Sequence, residues 1–106
     1  MSTVFVTQEN PKLDYAPAER FGDVRFITKR EWSSIRGSIN NQELLREIKA
    51  ALATFNPDTD YFVITGSPVV AALVFIVYGQ LRLPLAPMAL RWSNRDRVYQ
   101  PVTLGL

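Results

Sequence analysis

Apolar and polar positions fall into blocks along this chain, and each block has a recognisable period. Val4-Phe5-Val6 is a β-branched and aromatic run and predicts a first strand. Residues 8–15 are polar around Pro11 and predict a loop. Ala16-Pro17-Ala18-Glu19-Arg20 puts a proline where a helix can begin and an acid in its first turn. That predicts one helical turn, closed by Gly22. Residues 23–28 set Val24, Phe26 and Thr28 against Arg25 and Ile27, the two-residue period of a second strand. Residues 29–38 mix charges with Trp32 and paired serines, and read as an exposed connection with room for part of a helix.

A longer period follows. Leu44, Leu45, Ile48, Ala51, Leu52 and Phe55 form one apolar stripe at helical spacing, with Arg46, Glu47 and Lys49 opposite. Asn40 and Glu43 have the spacing of a capping box at its start, and Asn56-Pro57 ends it. Tyr61-Phe62-Val63-Ile64-Thr65 has no polar alternation, as in strands buried on both faces of a parallel sheet. Gly66-Ser67-Pro68 turns the chain, with Ser67 as N-cap and Pro68 at the first helical position. The helix that follows, to about Leu81, is apolar nearly all round, so it is either buried or packed on a second subunit. Residues 83–87 are an extended linker. Residues 88–92 and 97–104 read as strands flanking the hairpin turn Ser93-Asn94-Arg95-Asp96, and Pro101 marks the last strand as an edge.

This order predicts one small α/β domain over residues 1–106. Two long helices would cover a mainly parallel sheet, and a C-terminal antiparallel hairpin would close it. No repeat or low-complexity tract interrupts it.

Composition narrows the function classes. Lys and Arg number 12 against 10 Asp and Glu, so the net charge of +2 is too slight to argue for nucleic acid by itself. The absence of cysteine favours a reducing compartment, and Met1-Ser2-Thr3 opens no signal peptide, so a cytoplasmic protein is expected. The apolar run over residues 69–78 is too short to span a bilayer, so no membrane association is expected. Without His or Cys, the usual general base, thiol nucleophile and most zinc sets are excluded. No catalytic residue, metal or cofactor is assigned. Asp58 and Asp60 have the spacing to reach a hard cation, but Asp58-Thr59-Asp60 also reads as a plain polar turn before a strand.

Two constellations remain. Thr65, Gly66 and Ser67 lie where a buried strand meets a helix start, which offers backbone donors to a small anionic ligand or a nucleotide. Helix capping explains the same residues, and no Walker spacing is present. Arg91, Trp92, Arg95, Arg97 and Tyr99, with Arg82 nearby, form a cationic and aromatic cluster. It suits a protein interface or nucleic-acid contact, and it also suits solvated charges protecting a sheet edge.

Asp14-Tyr15-Ala16-Pro17-Ala18-Glu19-Arg20-Phe21-Gly22, Asp60-Tyr61, Gly66-Ser67-Pro68, Leu90-Arg91-Trp92 and Tyr99-Gln100-Pro101-Val102 together resemble a group of small phage and prophage proteins. Residues 29–39 depart from that pattern. The resemblance implies a viral origin and no particular chemistry. The resulting expectation is a phage accessory protein that binds a macromolecular partner, a protein of the host or phage before a nucleic acid, as a homodimer. The alternatives are a small-ligand or nucleotide-binding protein using Thr65, Gly66 and Ser67, and a nucleic-acid binder using the C-terminal arginines.

Overall fold

Val4, Phe5 and Val6 are shut off from solvent, as are Phe62 and Val63, because both runs occupy interior strands. The structure, a computed structural model, describes residues 2–105. Strand β1 (Thr3–Val6) pairs in parallel with β2 (Asp23–Phe26) on one side and with β3 (Tyr61–Val63) on the other. Strand β3 pairs in parallel with β4 (Met88–Ser93), which pairs antiparallel with β5 (Val98–Thr103). The sheet order is β2-β1-β3-β4-β5. The expected α/β class, mainly parallel sheet, two long helices and closing hairpin are all present.

A 3₁₀ turn, Ala16–Phe21, links β1 to β2. Helix α1 (Ile39–Leu52) links β2 to β3, and α2 (Pro68–Gln80) links β3 to β4. The chain steps from β1 out to β2 and then back across β1 to β3. Right-handed crossovers in opposite directions fall on opposite faces of a sheet. Both helices accordingly pack on one face, where Phe5, Phe62 and Ala89 meet Leu44, Ile48, Val70 and Val74. Phe55 stacks on Phe62 there, ring centroids 4.4 Å apart. The opposite face carries Val4, Val6, Val63, Leu90 and Tyr99, covered by Tyr15 and Ala18. Neighbouring residues of a strand point to opposite faces, so each buried strand feeds both cores.

Local departures from the sequence reading have identifiable causes. Helix α1 is capped by Ser38, whose hydroxyl accepts from the Asn41 N–H, and not by Asn40. Asn40 instead lies in the first turn and donates from Nδ2 to the Glu31 carbonyl at 2.6 Å. Glu43, the expected capping-box partner, pairs with Arg46 at 2.7 Å. Residues 29–38 hold no helix, because the Asn41 amide takes both backbone groups of Ser33, each at 2.8 Å. Strand β2 stops at Phe26 and β3 at Val63, short of the predicted Thr28 and Thr65. Beyond Val63 the Thr65 N–H turns to the Thr7 hydroxyl at 3.1 Å, and Gly66 adopts φ +83°. Pro101 lies on the edge strand as expected, opposite Leu90.

Candidate functional site

In sheets of this order ligands commonly bind at the carboxyl ends of the two strands where the winding reverses, here β1 and β3. That crevice is filled by the chain itself. Thr7 and Gln8 are buried, and the Thr7 hydroxyl donates to the Thr65 carbonyl at 2.9 Å. Gln8 Oε1 accepts from the Ser67 N–H at 2.5 Å, while its Nε2 donates to the Arg30 carbonyl at 2.8 Å. The Ser67 hydroxyl accepts from Val69 N–H at 3.2 Å as an ordinary N-cap. The Thr65 hydroxyl donates to the Gln8 carbonyl and meets the Tyr15 hydroxyl, both at 2.8 Å. Ser67 is thus tied into the fold, Gly66 packs against Gln8, and of the three residues only Thr65 borders the cleft beside them.

That cavity lies one strand further along. Pairing between β3 and β4 is confined to Tyr61 with Met88 and Phe62 with Ala89. Beyond this point β4 continues to Ser93 paired with β5 alone, and the two parallel strands part. A cleft of about 750 Å³ occupies the parting, within the size range of ligand pockets in general. Val63, Leu90 and Tyr99 supply buried apolar surface, and Lys12, Leu13 and Asp14 of the loop after β1 form a wall. Tyr15 holds that wall, since its hydroxyl joins Thr65 on β3's side to the Asn10 N–H at 2.9 Å.

The cationic and aromatic cluster divides at this cleft. Arg91, Trp92, Arg97 and Tyr99 border it, and Arg95 does not. Trp92 packs edge-on against Tyr99, centroids 5.0 Å apart, and its indole N–H donates to Asn94 Oδ1 at 2.9 Å. Arg91 points to the other face of β4, where Nη2 reaches Gln100 Oε1 at 3.5 Å. Lys12, Arg91 and Arg97 border the cleft together with one acid, Asp14, and among the described residues none of the four forms an ion pair. The Tyr99 phenol is pushed above its ordinary pKa by burial, and further by unfavourable electrostatics with nearby Tyr15 and Asp14. It therefore stays neutral through the physiological range and presents an uncharged hydroxyl.

Asp58 and Asp60 do not converge on a cation site. Asp60 is buried, and its carboxylate accepts from the Thr3 N–H at 2.9 Å, the Asn56 N–H at 2.8 Å and the Thr59 hydroxyl at 3.2 Å. Among the described residues no cluster of three acidic, His or Cys side chains could hold a metal. Among the described residues no helix is long and apolar enough to cross a membrane.

Lys12, Leu13, Asp14 and Pro17 lie in a polar stretch more than seventy residues from Arg91, and only the sheet order brings them together. A family model described as phage Pam3 gp32-like protein matches residues 2–106. No curated protein and no solved structure matches significantly.

Proposed function

Since the chain belongs to the phage Pam3 gp32-like family, we propose that it serves the phage as a binding protein, acting without catalysis in the host cytoplasm. Its recognition site is the cleft between β3 and β4, and its partner is a protein that presents an acidic segment with an apolar or aromatic side chain. The observation that carries this reading is the meeting of Arg91, Arg97 and Lys12 with Trp92, Tyr99 and Leu90 around one cavity. Arginine and aromatic residues dominate the energetics of protein interfaces when they surround a well-packed pocket. Cations without an acidic intramolecular partner favour an anionic group on the incoming chain.

The size of the cleft also supports a second reading, a small organic anion with an apolar body. The strand–Gly66–Ser67–helix turn takes a capping role in both readings, because the Ser67 N–H is held by Gln8 and the Ser67 hydroxyl caps α2 at the Val69 N–H.

The test uses the tagged protein as bait in infected cells, with mass spectrometry of what it retains. Wild type should retain a defined partner, and Arg95→Glu, outside the cleft, should retain it equally. Arg91→Glu with Arg97→Glu should lose it while melting normally. Equal retention by the double variant would place recognition elsewhere. A steep fall of binding with salt, with nucleic acid in the eluate, would favour a nucleic-acid role instead.

A further inference from the structure

The helix α2 has one face in the core and another in solvent, and the solvent face is also apolar. Val70, Val74, Val77 and Tyr78 are buried, whereas Val69 is 50% exposed, Ile76 is 58% exposed, and Ala72 and Gly79 are exposed beside them. No charged side chain occurs from Tyr61 to Leu81. A solvent-facing helix normally carries its charges on this face. Val69, Ala72, Ile76 and Gly79 are separated by three, four and three residues, the spacing of a seam that packs on another helix.

Gly79 adds an independent observation. It is one of the last residues of the helix, its φ is not positive, and a Cβ placed on it would meet nothing within 4 Å. Nothing inside the monomer requires a glycine there, and glycine in a helix is destabilising relative to alanine. A close neighbour from outside would explain it.

We propose that this face binds a second copy of the same chain, with the two α2 helices antiparallel across a two-fold axis between Ala72 and Ile76. In that register Val69 of one protomer lies over Gly79 of the other, and Ile76 of one lies over Ala72 of the other. Every large side chain on the seam then meets a small one, and the match is the same in both directions, as a two-fold interface demands. The lack of charge fits a second copy for the same reason. Any charge near the axis would face its own like across it, and this face has none to repel. The inference does not depend on the role of the cleft, which lies at the carboxyl end of β3 and β4.

Sedimentation velocity of the full chain at high micromolar concentration tests the proposal, with circular dichroism and melting to confirm the fold of each variant. Wild type should sediment as a dimer. Ile76→Ala sets alanine against alanine and Ala72→Ile sets isoleucine against isoleucine, so each should raise the dimer dissociation constant about tenfold or more. Ala72→Ile together with Ile76→Ala restores large against small, and should bring the constant back to within about threefold of wild type. A monomeric wild type would overturn the proposal. So would a dimer indifferent to all three variants, or singles that weaken it without rescue by the pair.

Discussion

Gly66 lies so close to Gln8 that a Cβ on the glycine would run into the glutamine side chain, and its φ of +83° is one that L side chains rarely adopt. The two residues lock the end of β3 to the end of β1. Gly66→Ala should therefore cost about 2–4 kcal/mol, combining backbone strain with displacement of the Gln8 bridge. Urea denaturation should show a lowered midpoint with an unchanged slope. A loss under about 1 kcal/mol would mean that Gln8 moves aside freely.

Ser67 is a cap and does not border the cleft. Ser67→Ala should cost about 1 kcal/mol in the same measurement. Capture of a partner in the cleft should be unchanged, and a folded variant that loses capture would return the turn to the list of binding residues.

Much of this architecture was legible in the chain. A two-residue period located β2 and a helical one α1, unbroken apolar runs located β1 and β3, Gly66-Ser67-Pro68 located the start of α2, and Pro101 announced the sheet edge. The start of α1 was not legible, because Ser38, Asn40 and Asn41 are all good capping residues and contacts with the loop before them decide which one caps. The cleft was half legible. Arg91, Trp92, Arg97 and Tyr99 stood out by type, but the parting of β3 from β4 depends on Thr7 drawing Thr65 towards β1. No local pattern encodes that.

Arg97 holds a left-handed conformation, φ 59°, at the end of the hairpin turn, where its N–H donates to the Ser93 carbonyl at 2.8 Å. Such a site favours glycine, and arginine there costs about 1 kcal/mol. Arg97→Gly should leave stability unchanged or raise it by up to about 1 kcal/mol, the unfolded-state entropy of glycine offsetting part of the relief. The same variant should bind an anionic aromatic probe such as anilinonaphthalenesulfonate several-fold more weakly. A drop in stability would show that the guanidinium serves the fold and not the cleft.

Tyr78 and Tyr99 both titrate above the ordinary tyrosine value of 10.0, Tyr78 through burial and Tyr99 through burial and unfavourable electrostatics with Tyr15 and Asp14. Because the folded pKa exceeds the unfolded one, each phenol contributes stability that is complete below pH 10. That contribution is lost as the pH climbs from there through the folded value. Tyrosinate absorbance should show late-ionising components, one of which disappears in Tyr99→Phe. Four tyrosines ionising together near the ordinary value would contradict their burial.

The placement of β3 between β1 and β4 governs how the chain reaches its native state on the ribosome. The N-terminal strand is made first, but one of its two neighbours, Tyr61–Val63, emerges more than fifty residues later. Until then Val4, Phe5 and Val6 have half a partner set, and the Thr3 N–H lacks the Asp60 carboxylate that receives it in the finished sheet. Loop closure of that length precedes any reward from the central pairing, so the sheet interior zips late and slowly for a domain of this size. Nascent chains arrested before Asp60 should accordingly be open to protease along the β1 segment. Chains arrested after β4 has cleared the exit tunnel should resist it.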